Sequence, residues 1–529
     1  NNPATVNAVL RVGAQTQVVS VTSTPTPLNT TDARLGTPFT TEQIIQLPLE
    51  SRNVGDLLSL QTGVTYLGDR SDIDLDEDSR AGAVDGVRSD QSNFTLDGID
   101  VNDQNNGYAF TSVLRQTPDS LQEFNIVTTS FRADQGRSAG AQVTLVTKSG
   151  TNKFHGSLYE YLRNTATSAN DYFIKLDELQ SGQPNVPAQL NYNIFGGSLG
   201  GPILKNRVYF FTNLDFDEQR AQESVIQTVP SLMLRQGIVQ YPTATGGTFA
   251  MTPQDLQQLD PLQIGVDPAV LKYFNTYPAP NNDSVGDGLN FLGYGFPGRE
   301  ITNYYTYIAR FDALLNRSGT EDLFWRGDLD NDYQSGAPFL PGLPPENPEG
   351  AYDKGYALGL ISSLGANKVN SFTWGETRQS SAFQGDTHEP WIEIRGLYPS
   401  QNIFYGNASI VPLYEARDQF TWIKGAHTIG IGGSFRLIHN NSDSLQNSYS
   451  YGLTNSAWLN TSGLANTSSP LNPVNGGFPA VNSSDNNVYD FPATALLGMV
   501  TEDNAIYNFT PTGGVLPQGA PILRYFEQR

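Results

Sequence analysis

No cysteine occurs anywhere in the 529 residues, so the chain can hold no disulfide, no thiolate zinc cluster and no thiol nucleophile. The absence suits a protein that crosses a periplasm, where stray thiols are oxidised, without fixing the compartment. Histidine is scarce: His155, His388, His427 and His439 are scattered, and none has a second one at metal-ligand spacing. Basic charge is in deficit, 31 Lys and Arg against 53 Asp and Glu, and the formal net charge of −22 with pI near 4.5 excludes a nucleic-acid partner. No run of about 18 apolar residues exists, which excludes an ordinary transmembrane helix. It does not exclude a transmembrane barrel, whose strands of roughly ten residues alternate in polarity. Asn1-Asn2-Pro3 lacks the basic and apolar regions of a signal peptide, as expected of a mature or trimmed form.

Catalytic signatures are missing too. Gly196-Gly197-Ser198-Leu199-Gly200 formally matches G-x-S-x-G, but Gly201-Pro202 follows and no helix pattern appears, so we read it as a strand end and turn rather than a nucleophile elbow. His388-Glu389-Pro390 is no zincin, since proline forbids the helix. No P-loop or complete dinucleotide fingerprint occurs, and the expectation is a protein that is not an enzyme and needs no cofactor or metal.

Gly, Asn, Ser, Thr and Tyr are abundant and charged residues make up only 16%, a composition suited to strands and long polar loops. In residues 83–103, Asn93-Phe94-Thr95-Leu96 alternates polar and apolar and then breaks at Asp97-Gly98, the dipeptide that most favours a tight hairpin. Residues 141–156 repeat the pattern: Val143, Leu145 and Thr147 alternate with Thr144, Val146 and Lys148 before Ser149-Gly150. Upstream, Thr40 and Gln43 form a capping box, and Val54, Leu57 and Leu58 signal a second short helix ended by Gly63. Downstream the chain reads strand, turn, strand. Val208, Phe210, Thr212, Leu214 and Phe216 share one face and Tyr209, Phe211, Asn213, Asp215 and Asp217 the other, with Phe211 suited to a membrane interface. Similar runs occupy 305–315, 322–330, 356–364, 368–378, 414–423 and 427–437. Short connections alternate with long ones at 219–299, 379–407 and 440–490, the asymmetry of an outer-membrane barrel, and the long loops are where a ligand would be recognised.

These motifs resemble a known family. The segment LDGIDVND is similar to the VDGV-x-x-ND signature of the plug domain of TonB-dependent outer-membrane transporters, on Asp97, Gly98, Asp100, Asn102 and Asp103. QVTLVTKSGTNKFHGSLYEY is similar to the join between plug and first barrel strand, and W-x-KG-x-H at Trp422 to His427 to a hairpin of the Oar-like branch. The resemblance implies a mainly β fold: an antiparallel transmembrane β-barrel with a small α/β plug at the N-terminus. It divides the chain into an N-terminal segment (1–30), a plug (31–150) and the first portion of a barrel (151–529). Such transporters need roughly 22 strands, far more than the runs counted here. The barrel therefore cannot close, and about half of a larger polypeptide is expected. Gly430, Gly432 and Gly433 would let the wall approach the plug.

The resemblance also implies functional residues. Thr16, Gln17, Val18, Val19, Ser20, Val21 and Thr22 resemble the TonB box, a segment captured by strand addition; another strand of a missing sandwich fits equally. Arg132 and Arg137 stand where relatives carry plug cations that pair with acids on the barrel wall, although exposed loop cations would read the same. Asp72, Asp74 and Asp76 have the spacing of a calcium loop, but Glu77 sits where it needs glycine and Ala83 where it needs glutamate, so a solvated acidic loop is favoured. The implied partners are TonB with ExbB and ExbD, outer-membrane lipid and an unidentified transported ligand, in the outer membrane of a Gram-negative-type bacterium. Two rival readings stand beside this one: an outer-membrane structural, adhesion or protein-export component, and a secreted soluble β-protein binding carbohydrate.

Overall fold

The computed structural model describes residues 35–47, 49, 52–66, 82–88, 91–104, 112–131, 135–136, 138–170, 172–180, 182, 184–346, 348–383, 391–399, 406–445, 449–456, 463–506, 513–515 and 527–528. Residues 16–22, Asp72, Asp74, Asp76, Arg132 and Arg137 lie outside them.

The N-terminal part folds around a five-stranded sheet. Its strands are β1 (Leu35–Thr40), β2 (Asn93–Leu96), β3 (Ile99–Asp100), β4 (Leu121–Thr129) and β5 (Gln142–Thr147), in the order β1-β4-β5-β2-β3. Only β2 and β5 run parallel. Between β2 and β3, Asp97 and Gly98 both take positive φ, 49° and 87°, which the Asp-Gly pair tolerates and which gives the hairpin its tight reversal. Helix α1 (Thr41–Gln46) starts at the expected capping box, with the Thr40 amide donating to Gln43 Oε1 at 3.0 Å. The second helix is a 3-10 helix, Val54–Leu60. Ile44, Leu57, Leu58, Leu96, Phe124, Ile126 and Val143 close a buried apolar core beneath these elements.

Downstream lies a thirteen-stranded sheet, antiparallel throughout. Its long members are β6 (His155–Asn164), β7 (Leu190–Leu204), β8 (Val208–Pro230), β9 (Phe291–Leu314), β10 (Glu321–Ser335), β11 (Lys354–Ser363), β12 (Lys368–Phe383), β13 (Gly406–Lys424) and β14 (His427–Ile438). Among the described residues β6 and β14 do not pair with each other, so the wall is an arc. Alternation sorts its two faces. Leu158, Phe195, Leu199, Leu214, Phe311, Trp325 and Leu329 are exposed on the outer face, where only lipid accommodates such a continuous apolar surface. Asn213, Asp215, Arg326, Asp328 and Asp330 are buried on the inner face, against the N-terminal sheet. A water-soluble sandwich has the opposite distribution, and that rival reading is set aside.

Several expectations change. The strands are much longer than the sequence runs: β9 has 24 residues, and at about 3.3 Å per residue it spans roughly 80 Å, far more than an apolar band of about 25 Å needs even when tilted. Much of 219–299 is therefore strand, extending beyond the membrane. The remaining long connections are not simply polar loops. Leu234, Tyr241, Met251, Phe274, Leu340, Leu397, Leu471, Tyr489 and Leu496, drawn from four separate connections, condense into one buried core on top of the strand ends. Asn290 ties this cap together: its Nδ2 donates to the carbonyls of Gln240 at 2.6 Å and Val488 at 2.8 Å, and its Oδ1 accepts from the Gln240 amide at 2.8 Å. Gly196 to Gly200 lie in the middle of β7, not at a strand end, because the sheet runs straight through them. Phe211 is not interfacial. At 2% exposure it faces the enclosed side, as its parity with Asn213 and Asp215 requires.

The glycines that admit close approach to the N-terminal sheet are likewise not those expected. A Cβ on Gly355 would stand 2.4 Å from Leu114 Cδ1, and one on Gly375 2.3 Å from the Tyr356 carbonyl and 2.9 Å from Ile99 Cγ1. A Cβ on Gly430 or Gly433 would meet nothing within 4 Å, and one on Gly432 only the neighbouring strand, because β14 lies beyond the reach of that sheet's core. Gly375→Ala should therefore cost about 1–3 kcal/mol of overpacking and Gly430→Ala nothing measurable, as read from urea midpoints of the detergent-solubilised protein.

In the cap, burial pushes the Asp490 carboxyl up to about 6, opposed by the backbone amides of Ala465 and Leu464 that it accepts. The native state then holds a proton that the unfolded chain, with an ordinary Asp near 3.9, releases between pH 4 and 6. Its contribution to stability is fully present below pH 4 and lost as pH rises through 6. Asp490→Asn should remove that part of the pH dependence, so that the unfolding midpoint of the variant gains on the wild type between pH 5 and pH 7.5.

Candidate functional site

Two neighbouring wall strands each send an arginine to the tip of the β2–β3 hairpin. Arg310 Nη1 lies 3.1 Å from Asp97 Oδ1 and also donates to the Thr147 carbonyl at 2.9 Å, while its Nη2 pairs with Asp312 at 2.9 Å. Arg326, with no exposed surface, places Nε 3.3 Å from Asp97 Oδ2 and pairs through Nη1 with Asp328. Asp97 is also held from within its own sheet, accepting from the Thr147 amide at 3.1 Å and hydroxyl at 2.7 Å. An isolated carboxylate or guanidinium could not be buried here. The two signs are brought in together, and both Asp97 oxygens also accept hydrogen bonds from Thr147 and Arg310, so the buried charge is matched mainly at the hairpin tip.

The other motif residues divide by task. Asp100, fully buried, receives Arg436 Nη1 at 3.1 Å from β14; Arg436 Nη2 reaches Glu415 at 3.2 Å, and Glu415 Oε2 accepts the Asp100 amide at 2.9 Å. The Asp100 carbonyl accepts the Thr377 hydroxyl at 2.7 Å. Gly98 is required at the tip by its φ of 87° rather than by space, since a Cβ there would make only ordinary contact, 3.7 Å from Thr373. Asn102 works inside the sheet instead, accepting from the Phe94 amide at 2.9 Å and donating to the Ser92 carbonyl at 3.0 Å. Asp103 is buried.

Further contacts involve residues that the sequence did not single out. Arg115 makes a forked pair with Asp332, its amide donates to Asp330 Oδ2 at 2.9 Å, and its guanidinium lies 4.4 Å over the Tyr304 ring. Arg52 pairs with Asp119 and covers the rings of Tyr159 and Tyr161 in β6 at 4.4 and 4.6 Å, from a backbone held at φ 56°. Asp119 Oδ1 in turn accepts the Ser157 hydroxyl from β6 at 2.8 Å. Beside this contact a cavity of about 450 Å³ runs between α1 and the wall, lined by Ile44, Leu47, Arg52, Tyr161, Tyr192 and Ile194. A signal for the wall residues was present in Phe324-Trp325-Arg326-Gly327-Asp328-Leu329-Asp330, where charge recurs at every second residue while lipid-facing residues fill the gaps.

Removing Asp97 leaves Arg310 and Arg326 each short of a carboxylate in a dry site. Asp97→Ala should destabilise by about 3–5 kcal/mol and speed hydrogen exchange in residues 142–147; Asp97→Asn, which retains the acceptor oxygen, should cost less.

This architecture has counterparts. The family model for the outer membrane beta barrel domain matches residues 146–512, more than half of the chain. The TonB-dependent transporter Oar of Myxococcus xanthus is 30% identical over 130 residues, covering 24% of this chain and 12% of that protein. The outer membrane transporter YddB from Escherichia coli shares the fold with a TM-score of 0.52 at 13% identity, over 80% of this chain and 50% of YddB. The chain thus spans about half the length of that structure and a smaller share of Oar. It belongs to the outer membrane β-barrel family, seated in the outer membrane.

Proposed function

We propose that the protein is a TonB-dependent transporter in which residues 31–150 act as a plug and a ligand crosses the outer membrane when part of that plug leaves the wall. The observation that supports this most directly is the chemistry of the contact. Asp97, Asp100, Arg115 and Arg52 meet the wall through charges, hydroxyls and ring faces, whereas apolar side chains dominate within the sheet itself. A contact of that kind exchanges for water at small net cost once wetted, while the apolar core of the sheet does not.

The attachments are uneven, and this suggests the order of events. Residues 91–147 carry the clamps at Asp97, Asp100 and Arg115. The preceding stretch has one charged clamp to the wall, Arg52, and is otherwise held by an edge strand, β1, paired on one side only among the described residues, by the Thr41 hydroxyl on the Gln122 carbonyl at 2.8 Å, and by the buried Ile44, Leu57 and Leu58. Tension applied through residues 16–22 meets that stretch first, and its withdrawal, which must also unseat those apolar side chains, widens the cavity beside Tyr161 and Tyr192. TonB, powered by ExbB and ExbD, would supply the tension after capturing Thr16 to Thr22 by strand addition. The external cap is the surface that a ligand meets first.

Deleting residues 16–22 tests this. In the full-length protein the deletion should abolish capture of the purified TonB C-terminal domain while leaving barrel assembly intact. Retained capture would remove the proposed role of this stretch.

A further inference from the structure

On the lipid-facing side of the wall, β11 and β12 set two cations directly opposite each other: Lys354 pairs in register with Arg378. Their direction follows from their neighbours. Ala357 and Thr377 are buried on the enclosed face, with the Thr377 hydroxyl on the Asp100 carbonyl, so Lys354, Tyr356, Glu376 and Arg378 project outward. Like charges at opposed positions repel, and an anion seated between them relieves the repulsion.

Among the described residues neither cation has a hydrogen-bonded or ion-paired carboxylate partner. Asp353, next in sequence, turns to the enclosed face, where its carboxylate accepts the Ser380 amide. Glu376 shares a hydrogen bond with the Tyr414 hydroxyl. Depth adds an independent constraint. Immediately toward the short turns, Tyr356 and Trp374 meet edge-on at 5.2 Å, an aromatic pair of the kind that marks the boundary of the hydrocarbon. On the other side Tyr352 is 63% exposed at the start of the long connections. The two cations thus stand at the level of lipid headgroups in the leaflet facing the cap.

We propose that Lys354 and Arg378 form a binding site for the phosphate of a phosphorylated headgroup lipid in that outer leaflet. The guanidinium grips phosphate as a fork and the ammonium as a point charge, while Tyr356 and Trp374 pack against the lipid below it. The site is separate from the enclosed face and does not depend on how transport proceeds.

Native mass spectrometry of the full-length protein in detergent tests it, with lipid A, dephosphorylated lipid A and inorganic phosphate as probes. The wild type should bind lipid A at least about tenfold more tightly than the dephosphorylated form, and K354Q/R378Q should lose about tenfold or more, while Lys354→Arg binds as the wild type does. Inorganic phosphate at the same concentration should not compete. Equal binding by wild type and double variant, equal binding of the dephosphorylated lipid, or full competition by inorganic phosphate would each overturn the proposal. Heat-modifiable migration reports whether the variants fold; should the double variant fail, the comparison of the two lipids on the wild type decides alone.

Discussion

Charge buried between two sheets is the constraint on which this structure depends. Arg326 has no exposed surface, and a guanidinium cannot shed its proton to escape burial, so the wall is habitable there only if carboxylates arrive from both sides. Asp328 comes from the same strand and Asp97 from the hairpin tip. The tip reaches Asp97's position because Asp97 and Gly98 accept positive φ, and the wall can lie close alongside because Gly355 and Gly375 carry no side chain. Backbone chirality, strand register and electrostatics converge on one contact, and its geometry places the N-terminal sheet within the arc.

The same contact separates two kinds of stability. Within the N-terminal sheet, Leu57, Leu58, Leu96 and Phe124 exclude water and hold by apolar burial. Between that sheet and the wall, ion pairs and hydroxyls hold by matching, and they can be replaced one for one by water. An N-terminal sheet built this way keeps its own fold while its contact with the wall stays open to exchange with water. The cap follows the first rule, since four connections pool their apolar residues into one core, with Tyr241 and Tyr489 in edge-on contact at 5.2 Å near its centre.

Outward, the wall answers to lipid rather than to water. Leu158, Leu199, Leu214 and Leu329 would be faults on a soluble sheet and are required on a transmembrane one, because the backbone is satisfied strand to strand and the side chains need only be apolar. At the rims the requirement changes to aromatic and charged residues. Lys424 lies 5.0 Å over the Trp422 ring at the short-turn end, and Tyr356, Trp374, Lys354 and Arg378 stand toward the long connections.

What the sequence determined by itself was local or periodic. Asp97-Gly98 announced a hairpin, Thr40 with Gln43 a helix start, and the alternation in 208–217 a strand with one face to lipid, because each rests on backbone preferences or on the two-residue repeat of a strand. The family resemblance rested on the same short motifs. What only the tertiary structure decided was partnership across distance: that Asp97 meets Arg310 and Arg326, that Asp100 meets Arg436, and that residues from four connections share one core. No repeat in the chain encodes such pairs, since a charge every second residue states which face it occupies but not which counter-charge will cross the gap. That choice belongs to the register of separate strands, set cooperatively when the two sheets pack.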